Sequence, residues 1–385
     1  MNIELTEYYP EYLRYFTLAS KQQDLCNLGT TKYKHSNVDD DLMHHVHLYD
    51  VVERKYAGFS QVLNDAFYGW TEDHPYWHKM QSGHLTLDRQ IIANNWTGKH
   101  IDFDLPEWLY VFILHRVCGS GINYAKKTSG YHNTLFFNLH ESKTIEEMTD
   151  VVNTYPDPFY TSGGYQFPAF PKPPAGSKYK RGGDYFLTEY APKLARALAE
   201  FLQKGGRKDL REIGSFMLQW NSDNGLRQYH FQYAAVISDI ADWYPQFVNK
   251  ESSFYYGSNA TECISYLATP IKKMSKIEFL DEVMEKIYED TKAYPYNAED
   301  VCCDFIRWVE NYVRPGSDYD HLDFDTLWSS CKIKDHPFGR QKPMLDLGLI
   351  KTFKNMKSHP SDNAILKQAG LSVSEYKQKC AEASL

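Results

Sequence analysis

Asp239 and Asp242 stand three residues apart in "FQYAAVISDIADWYP", among Val236, Ile237, Ile240 and Trp243. On a helix that spacing puts both carboxylates on one face. An apolar setting raises a carboxyl pKa, which suits a proton acceptor near neutral pH. One of the two is expected to serve as a general base; the plainer alternatives are a solvent-facing pair or Asp242 capping a nearby group.

Two Gly-Ser turns could hold an anion. In "HRVCGSGINYAKK", Gly119, Ser120 and Gly121 lie between an apolar run and lysines. Glycines free the backbone to aim several N–H groups at one point. Arg116 offers a bidentate fork for phosphate oxygens and Lys126 a point charge. The same residues also suit a tight turn between two helices. The second element is "YYGSNATECISYL", where Gly257 and Ser258 precede Asn259. Asn259 and Glu262 have capping-box spacing, which predicts a helix starting there with unpaired N–H groups at its positive end. The chain has no Gly-x-x-x-x-Gly-Lys-Ser/Thr element, which argues against ATP hydrolysis.

Charge is uneven. The formal net charge is −8, yet residues 172–211 carry ten Lys/Arg against four acids. That leaves +6 on a stretch including Lys178, Lys180, Arg181, Lys204, Arg207 and Lys208. It is either a solvated loop and helix face or a surface that follows a phosphate backbone. His35, Asp39, Asp40, Asp41, His44, His45 and His47 form an acidic, His-rich cluster. It lacks metal-site spacing, so a polar face is expected and no metal. The seven cysteines have no regular spacing, which fits reduced thiols better than a disulfide framework.

Helices must position these groups. "PEWLYVFILHRVC" opens with a proline suited to a first turn, and Thr144–Glu147, Ser275–Glu278 and Ser372–Glu375 are capping boxes. A helix is expected over 184–206, ending at a Gly pair, with Pro192 kinking it or marking its start. Two more are expected over 226–244 and 279–294. Sustained period-two alternation is scarce and no repeat is visible. Residues 153–184 form a long irregular stretch dense in Pro, Gly and aromatics, of the kind that is usually functional. No apolar run is long enough to span a membrane, and the polar, acidic N-terminus does not read as a signal peptide. A cytoplasmic protein with no membrane partner is expected.

Three stretches together, "RVCGSGINY", "FQYAAVISDIADWYP" and "YYGSNATECISYL", with "EDVCCDFIRWVENY" as a fourth, resemble a family. It is the amino acid:DNA transferases of phage thymine hypermodification, the α-glutamyl/putrescinyl-thymine pyrophosphorylases. The resemblance implies a mainly α-helical fold with a core like the helix-hairpin-helix DNA glycosylases. It implies a core over residues 100–315, an N-terminal region over 1–99 packed on it, and a C-terminal helical extension over 316–385. It further implies double-stranded DNA carrying a pyrophosphorylated 5-hydroxymethyluracil as substrate, in the cytoplasm of a phage-infected cell. An amino acid or polyamine would displace the pyrophosphate, with no cofactor. Asp239 or Asp242 would take the amine's proton. Arg116, Gly119, Ser120, Gly121, Lys126, Gly257, Ser258 and Asn259 would hold the pyrophosphate. Tyr255, Tyr256 or Trp243 would stack on a base turned out of the duplex, and the basic tract would follow the DNA. The chain departs from the glycosylase pattern in lacking a Leu-Pro-Gly-x-Gly hairpin; the nearest stretch is "WNSDNGLRQ". Two other classes compete: a glycosylase-like hydrolase using Asp239 to activate water, and a non-catalytic DNA-binding module.

Overall fold

The computed structural model describes residues 2–6, 8–27, 52–56, 63, 67, 103–118, 142–154, 170–311, 347–349 and 366–383. These residues are mainly helical, as expected. Strand β1 (Ile3–Leu5) leads into α1 (Tyr8–Asn27), and a single 3-10 turn covers Arg54–Tyr56. Helices α2 (Leu105–Cys118) and α3 (Ile145–Thr154) follow, then a short α4 (Gly182–Tyr185). Next come α5 (Ala191–Gln203), β2 (Lys208–Asp209), α6 (Leu210–Asp223) and α7 (His230–Trp243). Beyond them lie β3 (Val248–Asn249), α8 (Ser258–Leu267), β4 (Ala268–Pro270), α9 (Lys276–Thr291), α10 (Pro295–Asn311) and α11 (Val373–Glu382). The strands only tie segments together: β1 runs antiparallel to β4 with Leu5 opposite Ala268, and β2 runs parallel to β3 with Lys208 opposite Val248.

The capping boxes at Ser275 and Ser372 form with both reciprocal bonds. At Thr144 the hydroxyl accepts from Glu147 N–H at 3.2 Å, while the Glu147 carboxylate reaches back one residue further, to Lys143 N–H at 2.6 Å. Pro192 breaks its helix in a specific way. Having no N–H, it cannot bond to the carbonyl four residues back. The chain widens into a π turn over Phe186–Tyr190, where Ala191 N–H bonds to Phe186 C=O, and a regular helix resumes with Pro192 in its first turn. That helix stops at Gln203, with Gly205 in the left-handed region (φ 84°) just beyond. Helices α6 and α7 form a hairpin turned by Gly225 (φ 67°), with Leu226 N–H returning to Asn221 C=O at 2.8 Å. The buried Asn221 amide pins this hairpin, giving to Arg227 C=O and accepting from Tyr233 OH, each at 2.7 Å.

Two apolar clusters form. One gathers α2, α3, the π turn, α5, α6 and α7, together with Phe254 and Tyr296. The other joins β1 and α1 to α8, α9 and the first half of α10. Ile3, Tyr12 and Tyr15 share a core with Leu267, Val283 and Phe305. Tyr256 packs against both clusters. Helices α2 and α7 are apolar on nearly all sides and run through the first cluster, as helices without a polar face must.

Candidate active site

The polar groups that α2 and α7 carry inward meet inside the fold. Arg116, near the C-terminus of α2, and Asp239 on α7 are each 1% exposed. The guanidinium grips the carboxylate with two bonds: Nε donates to Oδ2 at 2.7 Å, and Nη2 donates to Oδ1. Burial pushes the Asp239 carboxyl above the ordinary carboxylate range, while Arg116 and then Arg54 pull it back. An arginine cannot shed its proton in a core, so protonating Asp239 would strand a buried cation. The pair is therefore held as ions.

A second buried arginine continues the network. Arg54 donates from Nε to Asp300 at 2.9 Å, from Nη2 to the other Asp300 oxygen, and from Nη1 to Ser238 Oγ at 3.2 Å. Glu299 lies 3.5 Å from the same guanidinium and accepts from Gly257 N–H at 3.0 Å. Elements far apart in sequence (the Arg54 turn, α7, the start of α8 and α10) are thus locked to one another by charge.

Asp242 sits at the edge of this network and differs from Asp239. It is only partly buried. Oδ1 accepts from Tyr296 OH at 2.8 Å, whereas Oδ2 is shielded from water and meets no hydrogen-bond donor among the described residues. Burial pushes its pKa up to about 6, against the pull of Lys250 and then Lys55, with Asp239 adding to the rise. The Lys250 ammonium lies 4.6 Å from the centre of the Tyr294 ring and 5.7 Å from that of Tyr296, and burial lowers its pKa. Tyr294 and Tyr296 stack almost parallel, 6.0 Å apart. An under-bonded carboxylate, a phenol and a partly desolvated ammonium make a site that can accept and hold protons.

Several sequence-based expectations are corrected. Arg116 cannot form an anion's fork, because Asp239 already fills it in the core. By the same bonds both Asp239 carboxylate oxygens accept from Arg116. The Gly257-Ser258 turn is not an empty cradle: its Gly257 N–H is taken by Glu299. The residue capping α8 is Gly257 rather than Asn259, which lies inside the first turn. Trp243 is 5% exposed and packs on Phe112, so it has no open face for a base. Tyr255 packs on α6 at Gly214, where an added Cβ would sit 2.2 Å from its ring, and its hydroxyl donates to Arg211 C=O at 3.1 Å. Tyr256 OH donates to Asp281 at 2.8 Å, with Arg211 against its ring. Both rings are half-buried. Gly119, Ser120, Gly121, Lys126 and the His35–His47 cluster lie outside the described residues.

The basic tract divides in two. Arg181, Arg196, Lys204, Lys208 and Arg211 form ion pairs with Asp184, Glu146, Glu200, Glu212 and Asp281. Lys172, Lys178, Lys180, Lys193 and Arg207 have no ion pair among the described residues and are exposed. Sequence reading missed Arg54, Lys250, Tyr296, Glu299 and Asp300. The one available signal was the adjacent acids Glu299 and Asp300 entering an apolar helical run. Among the described residues no group of His, Cys, Asp and Glu could hold a metal ion, and no helix is long and apolar enough to cross a membrane. No family model matches the chain, and neither a curated protein nor a solved structure matches it.

Proposed function

We propose that the protein is a DNA base-modifying transferase in which an amine displaces pyrophosphate from 5-(pyrophosphoryloxymethyl)deoxyuridine, with Asp242 as the base. The amine is supplied by an amino acid or a polyamine. Its nitrogen bonds to the exocyclic methylene carbon as the carbon–oxygen bond to pyrophosphate breaks, and that electron pair leaves with the phosphate oxygen. The surplus proton on nitrogen passes to Asp242 Oδ2.

The observation that carries this reading is the under-bonded Asp242 oxygen beside Tyr296, with its pKa of about 6. Such a group is ionised at neutral pH yet basic enough to accept a proton in the transition state. Lys55 and Lys250 place positive charge near it, as a pyrophosphate leaving group requires. The unpaired lysines of the basic tract favour a polyanionic substrate. The family resemblance supplies the identity of the base and of the leaving group.

The test is incubation with DNA carrying the pyrophosphorylated base and a set of amines, followed by mass spectrometry of the nucleosides and assay of free pyrophosphate. An amine adduct with matching pyrophosphate release is expected. Asp242→Asn should lower turnover by about 10²-fold or more at neutral pH. A released base with an abasic site would replace the transferase with a hydrolase, and unchanged DNA would leave only binding.

A further inference from the structure

Three of the five cations of the basic tract that carry no ion pair among the described residues lie on one loop. Residues 171–182 leave and re-enter the fold at one point: a Cβ on Gly182 would meet the Pro171 carbonyl oxygen at 2.7 Å and Phe170 Cβ at 2.8 Å. Only glycine lets the two ends of the loop touch. Between them Lys172, Lys178 and Lys180 are exposed and carry no ion pair among the described residues. On α5 and α6, by contrast, most of the tract's cations are matched by carboxylates.

The same loop is interleaved with aromatics. Tyr179 packs 5.3 Å from Tyr185, which packs 5.3 Å from Tyr190, and all three rings are half-buried. The Lys178 ammonium lies 5.1 Å from the centre of the Tyr179 ring. Tyr179 OH donates to Glu189, and Arg181 Nε lies 3.0 Å from Asp184, so Tyr179 and the loop base are fixed while the lysines form no ion pair among the described residues. A duplex hides its base faces and offers this surface only phosphates. An unpaired strand offers both phosphates for the lysines and π-faces for the tyrosines.

We infer that the loop at residues 171–182 and the Tyr179–Tyr185–Tyr190 cluster form a binding surface for unpaired DNA, with the tyrosines stacking on bases and Lys178 and Lys180 on phosphates. This deepens the proposed function and rests on DNA being the substrate: the enzyme holds the strand where pairing is opened. The test uses unmodified oligonucleotides, so it succeeds or fails independently of amine transfer.

Fluorescence anisotropy would compare a labelled oligothymidine of about 15 nucleotides, long enough for common single-strand site sizes, with a duplex of equal length. Wild type should bind the single strand more tightly. Tyr179→Ala and Tyr185→Ala should each weaken single-strand binding by about tenfold and change duplex binding little. Tyr179→Phe keeps the ring and loses only the bond to Glu189, so it should bind as wild type. Lys178→Gln with Lys180→Gln should flatten the dependence of log K on log salt by about 1.4, at roughly 0.7 per phosphate on a single strand. No preference for the single strand, or alanine variants that bind it like wild type, would overturn the inference. Should the tyrosine variants fail to fold, an unchanged salt slope in the folded lysine double variant would overturn it equally.

Discussion

Replacing Asp242 by Asn should make the protein more stable at neutral pH while removing its base. The carboxyl is moved from its ordinary 3.8 to about 6 by burial. Holding it ionised in the fold therefore costs about 3 kcal/mol at pH 7.5. Asparagine keeps an acceptor for Tyr296 OH but puts an N–H₂ where Oδ2 has no partner, which costs about 1 kcal/mol. The net gain is about 1–2 kcal/mol after allowing for partial exposure, or roughly 1–2.5 °C in melting temperature for a chain this long. The sign with pH follows from linkage. A raised carboxyl pKa imposes its full penalty above the folded value and loses it as pH falls toward the unfolded value. The advantage of Asp242→Asn should thus shrink between pH 6 and pH 4 and be gone by about pH 4.5. Thermal melts of both proteins across this range test it, since acid effects at other sites are common to both. A variant less stable than wild type at pH 7.5, or a difference that does not move with pH, would refute the account of Asp242 as an under-bonded buried carboxylate.

Four further outcomes are expected. Arg116→Ala should cost about 3–5 kcal/mol in chemical denaturation because it leaves Asp239 buried and unpaired, whereas Arg116→Met with Asp239→Leu should cost much less. Gly214→Ala drives a methyl into the Tyr255 ring and should cost about 1–3 kcal/mol; the loss should largely disappear in a Tyr255→Ala background, read as non-additivity in a double-mutant cycle. Ser275→Ala removes the cap of α9 and should cost about 1 kcal/mol with transfer activity unchanged. The rate of amine transfer should rise with pH through about 6 as Asp242 ionises, and Asp242→Asn should abolish that limb of the profile.

Local signals were legible in the sequence. The capping boxes at Ser275 and Ser372 need only residues three apart, and both form. Pro192 announces a break because a missing N–H acts within one turn, although the π turn that absorbs it is not written in the residue types. The mainly helical class follows from the same short-range chemistry. Asp239 and Asp242 were visible as carboxylates in an apolar helix, but not their different fates. That difference depends on Arg116, which is 123 residues from Asp239, and on Tyr296, which is 54 residues from Asp242. The anion that fills the Gly257 turn arrives from 42 residues away, on another helix. A fully buried helix has no polar face in its pattern, so periodicity could not say which neighbour each acid would meet. Charge counting found the basic tract, yet only the fold decided which of its cations are matched by carboxylates and which are not. Pairing of charges across a core is set by how helices pack, and packing is a property of the whole chain rather than of any window in it.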